Sequence, residues 1–212
     1  MNDITRLLPK DHHFDYPFLL SILKEYRRPR EKIGLMISSG QILRLKKGLY
    51  ALSPGLGGVI NVNVLANVIF GPSYVSLDSA LSYWGIIPER VTETTSMTTK
   101  RNRSFFTPAG DFSYHHVASA AFIPGVVRQG EDSAGFLIAS REKALCDKIA
   151  RASGISSVKD VGVFLLQDLR IEEDQLSSFE TGLLKEIAAK YRRTNVELLF
   201  RWIEKARKRT TR

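Results

Sequence analysis

The pattern of apolar and polar residues near the start of the chain predicts two short helices followed by a β-hairpin. From Tyr16 to Tyr26, apolar residues recur at the three- and four-residue spacing of a helix with one buried face. Pro29 disfavours helix at the residue before it, so a second helix should run from about Arg30 to Ser39. Apolar and basic residues then alternate as in a half-buried strand, and Gly48 can supply the positive φ of a tight turn before a second strand.

Two helices followed by a basic hairpin are the order of elements in a winged helix-turn-helix, a module that binds DNA. The outward face of the second predicted helix is small and polar, which would let it enter a major groove about 12 Å wide. This face consists of Glu31, Gly34, Ser38 and Ser39, with Leu35 beside them. Each part alone is more often a piece of an ordinary core or a solvated turn. Their contiguity favours DNA binding.

A segment rich in glycine and proline, residues 53–58, predicts a boundary between two domains. Residues 1–57 would form the winged helix-turn-helix, and residues 58–212 a mixed α/β domain with a helical C-terminus, so the predicted fold class is α+β. Helices are predicted over residues 61–70, from an N-cap at Ser76, and over residues 141–151, 158–169, 181–191 and 195–209. Strands are predicted over residues 91–99, 104–107, 112–117 and 136–139.

The positive charge of the chain is concentrated at its two ends. The formal net charge is +9, with +5 in residues 1–57, −3 in residues 58–180 and +7 in residues 181–212. Lysine and arginine supply most of the non-specific affinity for DNA by neutralising phosphates, although a basic C-terminal helix can equally serve solubility. No apolar run approaches the roughly 18 residues that span a bilayer, and the first residues lack the apolar core of a signal peptide. We therefore expect a cytoplasmic protein with no membrane partner.

The sequence offers no familiar constellation of catalytic residues or metal ligands. The single cysteine, Cys146, excludes an internal disulfide and a multi-cysteine zinc site, and its apolar neighbours favour a core position. The paired histidines at 12–13 and 115–116 would point to opposite faces of a strand, so neither pair can easily share a metal ion. The glycines at 55–58 lack the lysine of a phosphate loop. We expect no enzyme activity, no catalytic residue, no metal and no cofactor.

Four blocks of sequence resemble the AbiEi-type antitoxins of bacterial type IV toxin–antitoxin systems. They are PREKIGLMISSGQILRLKKGLY, LANVIFGPSYVSLDSALSYWGIIPE, VTETTSMTTKRNRSFFTPAGDFSYHHV and IASREKALCDKI. The resemblance covers residues 15 to 150, roughly, and does not extend to the helices after residue 155. The chain departs from the family pattern at Ile86, where leucine is expected, and at Arg141, where proline is common.

The resemblance implies a winged helix that represses the chain's own operon by binding repeats in the double-stranded DNA upstream of it. It also implies a second domain that neutralises a co-encoded nucleotidyltransferase-like toxin without forming a stable complex. An alternative is a protein-interaction module, or a stand-alone transcriptional regulator without a toxin partner. The response of binding to salt would separate phosphate contacts from an apolar partner interface.

Carried over by position, the recognition helix is Arg30 to Ser39 and the wing is Arg44 to Tyr50. The expected DNA-binding residues are Arg27, Arg28, Arg30, Lys32, Ser38, Ser39, Gln41, Arg44, Lys46 and Lys47, of which the two serines and the glutamine are the candidates for groove contacts. A possible antitoxin surface consists of Arg101, Arg103, Tyr114, His115 and His116. A solvated basic loop is the simpler interpretation of residues 100–103.

Overall fold

The computed structural model describes residues 4–10, 13–131 and 134–210, so His12 of the first histidine pair lies outside it. Within these residues the fold is α+β, with ten α-helices, a three-stranded antiparallel sheet and a six-stranded mixed sheet. The α-helices are α1 (Tyr16–Ile22), α2 (Pro29–Ser38), α3 (Val62–Ile69), α4 (Leu77–Tyr83), α5 (Ser119–Phe122), α6 (Arg141–Arg151), α7 (Val158–Val163), α8 (Glu173–Ser177), α9 (Thr181–Tyr191) and α10 (Thr194–Thr210). The strands are β1 (Phe14–Asp15), β2 (Ile42–Lys46), β3 (Leu49–Leu52), β4 (Ser73–Val75), β5 (Glu93–Thr98), β6 (Arg103–Thr107), β7 (Gly110–His116), β8 (Val126–Gln129) and β9 (Phe136–Ala139).

The N-terminal part contains α1, α2 and the sheet β1-β3-β2. Asp15 caps α1 by accepting a hydrogen bond of 2.8 Å from the backbone N–H of Phe18. The helix ends at Ile22, one turn earlier than the apolar pattern predicts. Pro29 is the first residue of α2. Proline is favoured there because the backbone N–H at this position has no partner within the helix. Gly48, with φ of 82°, turns the chain from β2 into β3, and the predicted helix–hairpin order is confirmed.

The six-stranded sheet has the order β6-β7-β5-β4-β9-β8, and it is parallel between β5 and β7 and between β4 and β9. Its two faces are covered by different helices. The Ser73 hydroxyl donates to the Ala66 carbonyl on α3, whereas the next side chain, Tyr74, donates to Asp147 on α6. Since neighbouring side chains of a strand point to opposite faces, α3 and α6 lie on opposite sides of the sheet.

Most of the predicted longer elements of the second part are confirmed, and several short ones were not foreseen. Helices α6 and α9 have the predicted bounds, and α3 and α10 differ from prediction by one residue at each end. The helix predicted over residues 158–169 changes into a π-helical turn at Phe164–Asp168. The sequence did not predict β1, β4, β8, α5 or α8, all of which have five residues or fewer. Among the described residues, none of the helices combines the length and apolar character that crossing a bilayer requires.

A buried ion pair lies at the centre of the second part. The Nζ of Lys143 is 3.1 Å from Oδ1 of Asp147, one helical turn along α6, and neither side chain is exposed. Asp147 also accepts hydrogen bonds from the hydroxyls of Tyr74, Ser76 and Tyr191. Lys143 donates to the carbonyl of Ala121 at 2.5 Å. Burial raises the pKa of Asp147, and the Lys143 ammonium opposes that shift.

We predict that Asp147→Ala lowers the free energy of unfolding by about 3–5 kcal/mol, because it leaves the Lys143 ammonium buried without its counter-charge. Urea denaturation followed by circular dichroism measures this loss. Lys148→Ala is the matched control on the same helix, since its pair with Asp78 is partly exposed and should contribute less than about 1 kcal/mol. Equal losses in the two variants would contradict a central role for the buried pair.

Candidate nucleic-acid interface

Helix α2 exposes the small polar face that the sequence predicts. Ile33 and Met36 are buried against the N-terminal core. The opposite face is exposed and consists of Glu31, Gly34, Leu35, Ser38 and Ser39. The hydroxyls of the two serines donate back to helix carbonyls, Ser38 to Leu35 and Ser39 to Met36. Their oxygens can still accept hydrogen bonds from a ligand, so this surface is open to a groove.

The hairpin that follows α2 is held between two hydrophobic cores. Ile42, Tyr50 and Leu52 belong to the small core around α1 and α2. Leu45, Leu49 and Ala51 belong instead to the large core of the second part. Every residue of β3 is therefore buried. The hairpin therefore contacts a different core on each of its two faces.

The structure corrects the role expected for Lys46. Its ammonium donates to the carbonyls of Val68 and Ile69 at 3.2 and 2.7 Å, at the C-terminal end of α3. The negative end of a helix attracts such a cation. Burial, followed by the nearby charges of Lys100 and Arg103, lowers the pKa of Lys46. Its ammonium is therefore anchored to the end of α3, a structural role that the sequence did not indicate.

Strand β2 also lies beside β6, which brings the hairpin next to the basic loop between β5 and β6. Lys100 of that loop donates to the carbonyl of Gly71 at 2.5 Å, and its Nζ lies 5.1 Å from the centre of the Phe70 ring. The Arg103 guanidinium lies 5.7 Å from the same ring and 4.9 Å from that of Phe105. Residues that the sequence assigned to two different surfaces, Lys46 and Arg103, thus meet at one place.

We call the outward-facing cations of the hairpin and of the neighbouring loop the basic ridge. It consists of Arg44, Lys47, Arg101 and Arg103, all of them exposed. The chain has no aspartate or glutamate between Glu31 and Asp78, nor between Glu93 and Asp111. No carboxylate from either neighbouring stretch therefore offsets these charges. The absence of acidic residues from both stretches is the one sequence signal that could have indicated that the hairpin and the loop both contribute to the basic ridge.

The remaining predicted DNA-binding residues border α2. Arg27, Arg28 and Arg30 are exposed at the start of the helix, and Arg28 forms an exposed pair with Glu31 at 3.2 Å. Lys32 is half-buried, with its ammonium 5.9 Å from the centre of the Tyr26 ring. Gln41 is half-buried where the chain enters β2. The exposed arginines are thus placed to contact a ligand held on α2.

The residues of the predicted antitoxin surface differ in exposure, and the structure corrects Tyr114, which is buried. Tyr114 is 1% exposed, and its hydroxyl donates to the carbonyl of Ala66 at 2.6 Å. His115 is half-buried and His116 is exposed, as expected for neighbours in a strand. Burial lowers the pKa of His115, and the Arg151 charge adds to that effect. Only Arg101, Arg103 and His116 of this set are exposed.

Two further features bear on chemistry. Cys146 is 1% exposed in the core, and burial raises the pKa of its thiol, which makes it a poor nucleophile. Within the described residues, no three histidine, cysteine, aspartate or glutamate side chains are grouped so that they could hold a metal ion.

In comparisons with models of protein families and with curated protein sequences, no family model and no curated sequence matches the chain.

We predict that Leu49→Ala lowers the free energy of unfolding of the whole chain by about 2–5 kcal/mol, because it leaves a cavity where the hairpin enters the large core. Val59→Ala is the control, since this side chain is 63% exposed and its loss should change stability by less than about 0.5 kcal/mol. Denaturant unfolding followed by tryptophan fluorescence reports on the second part, which contains Trp84 and Trp202. A Leu49→Ala variant as stable as the control would mean that the hairpin and the second part unfold independently.

Proposed function

We propose that the chain is a DNA-binding antitoxin of the AbiEi kind, which represses its own operon through an N-terminal winged helix-turn-helix and counteracts a nucleotidyltransferase-like toxin. The observation that carries the DNA-binding part is the basic ridge, an exposed group of cations on the hairpin and on the adjoining loop. The resemblance of four sequence blocks to that family supports the antitoxin part.

In this proposal the ridge holds the phosphate backbone. Arg44 and Lys47 lie on the hairpin, and Arg101 and Arg103 lie on the neighbouring part of the chain, where β6 is beside β2. Neutralising phosphates releases counterions, so the affinity falls steeply as the salt concentration rises. Such contacts fix the position of the protein on the duplex without reading the sequence. Lys46 supports them indirectly, because it anchors the hairpin to α3.

Helix α2 supplies the contacts that discriminate between bases. Its small outward face lets the backbone approach the floor of the major groove. Ser38, Ser39 and Gln41 carry the polar groups, and Leu35, which is 63% exposed, can contact the methyl group of thymine. Arg27 and Arg30 are exposed at the other end of the helix, where they contact phosphates of the backbone.

A second candidate function is favoured by one observation. Leu35 is an exposed apolar residue in the middle of the α2 face, flanked by small side chains, and such a face also suits a helix of a protein partner. A partner interface of this kind would be insensitive to salt, whereas DNA binding would not.

The DNA-binding proposal predicts a marked preference for the DNA upstream of the chain's own reading frame. In a gel-shift titration, we expect this DNA to bind about a thousandfold more tightly than a scrambled duplex of equal length. Lys47→Ala combined with Arg101→Ala should weaken binding to both duplexes. It should also reduce the slope of log affinity against log salt concentration by about 2, since each phosphate contact contributes about 0.9.

Arg90→Ala combined with Lys159→Ala is the matched control for that experiment. Both residues are exposed, and their removal changes the net charge equally, but neither belongs to the ridge. If the two double variants weaken binding equally, the ridge contributes only through the net charge of the chain. If the unmodified chain binds both duplexes weakly and equally, and salt abolishes this binding, the proposal of specific repression is wrong.

The antitoxin proposal is tested by co-expressing the chain with a nucleotidyltransferase encoded by the neighbouring reading frame. We expect growth to be rescued by the unmodified chain and by Lys47→Glu, and rescue to be lost with Arg101→Glu, because Arg101 lies on the expected antitoxin surface and Lys47 does not. Both variants reverse one exposed charge of the ridge, so each controls for the other in repression. Rescue by Arg101→Glu as well would exclude this residue from the antitoxin surface.

A further inference from the structure

A pocket of about 360 Å³ opens where β5 and β7 end. These strands are parallel, so their carboxyl ends meet at one edge of the sheet, which is where open α/β sheets commonly bind ligands. The ends of α6 and α9 and the residues after α9 close the pocket, and they contribute Arg151, Tyr191 and Arg193. Its volume is in the range of small-molecule sites, about 300–1,000 Å³. It is too small for a macromolecular partner.

The lining of the pocket carries positive charge and no carboxylate. Arg151 and Arg193 bring two guanidinium groups, and His116 adds an imidazole. Arg151 is exposed and forms no salt bridge with any other residue that the structure describes. Guanidinium groups bind phosphate through paired, charge-assisted hydrogen bonds. The charges of this pocket therefore suit an anion.

Two features keep neighbouring negative charge away from that anion. The last carbonyls of α6 would otherwise face the pocket, but Arg193 donates to the carbonyl of Ala150 at 3.1 Å, and Asn195 donates to that of Ile149. The nearest buried carboxylate, Asp147, lies behind Tyr191 and is paired with Lys143. These carbonyls and Asp147 thus have partners within the fold. Arg151 also lines a second pocket with Asp78, Glu93 and Asp168, of which Asp78 is paired with Lys148.

The pocket also has an apolar wall. The hydroxyl of Tyr191 is held by Lys143 and Asp147, so its orientation is fixed and its ring lines the pocket. Met97 and small side chains such as Ala118 complete this wall. The Nδ1–H of His116 donates to the carbonyl of Lys100 at 3.2 Å, which leaves Nε2 for a ligand. A flat ring carried by the ligand can pack on this surface.

We propose that this pocket binds a small phosphate-bearing molecule of mononucleotide size. Arg151 and Arg193 hold its phosphate, and the Tyr191 ring contacts its base. None of the four ridge residues lines the pocket, and the inference stands whether or not the chain binds DNA.

The test uses isothermal titration calorimetry of the full chain at low ionic strength with AMP, adenosine and inorganic phosphate. We expect AMP to bind, and adenosine to bind at least about tenfold more weakly, because it lacks the charged group. Arg151→Ala should weaken AMP binding by about tenfold or more. Arg151→Gln, which preserves most of the side-chain length, repeats the test if the alanine variant does not fold.

Two control variants separate this pocket from general attraction of anions. Arg90→Ala, which removes an exposed arginine elsewhere, should leave AMP binding unchanged. Lys47→Ala combined with Arg101→Ala should also leave it unchanged, since these residues belong to the ridge. No binding of either AMP or phosphate, or equal binding by Arg151→Ala and the unmodified chain, would overturn the proposal. Phosphate binding as tightly as AMP would overturn the contact between base and ring.

Discussion

Lys143 and Asp147, which have no contact with solvent, require several distant segments to meet at one point. Asp147 is satisfied from β4 by Tyr74, from the start of α4 by Ser76 and from α9 by Tyr191. A buried charge left without partners costs several kcal/mol, so a packing that displaces any of these segments is strongly disfavoured. The end of α9 is thereby fixed against α6, and with it the wall of the pocket.

The second constraint is the position of the hairpin between two cores. A wing that projected freely into solvent would leave the second part of the chain independent of whatever α2 binds. Here Leu45 and Leu49 pack into the large core, and Lys46 caps the end of α3. A displacement of the hairpin would therefore disturb its contacts with α3 and with the large core. These contacts join the hairpin to the part in which antitoxin activity is proposed.

The sequence predicted best those elements whose signals are local. Helix α6 has a serine cap, Ser140, and a long apolar stripe, and its bounds were predicted without error. Strand β4 was not predicted, because three buried residues between a glycine–proline pair and α4 are too few to show any period. Ser76 was expected to cap α4, but its hydroxyl bonds to Asp147, 71 residues away. A contact of that range leaves no trace in the pattern of neighbouring residues.

The basic ridge likewise depends on contacts between distant residues, which the sequence alone does not predict. Charge and order along the chain indicated a basic wing, but not which of its lysines faces outward. The sequence alone does not distinguish Lys46 from Lys47. In the structure, strand geometry directs Lys46 toward α3, whereas Lys47 is exposed at the hairpin turn. Likewise, the sequence assigns Arg103 to a separate surface, whereas the packing of β2 beside β6 places it near Lys46. Because like charges repel, such an arrangement is costly unless partner groups or solvent offset it. The α3 carbonyls offset Lys46 and the carbonyl of Gly71 offsets Lys100, whereas the outward cations of the ridge are exposed to solvent.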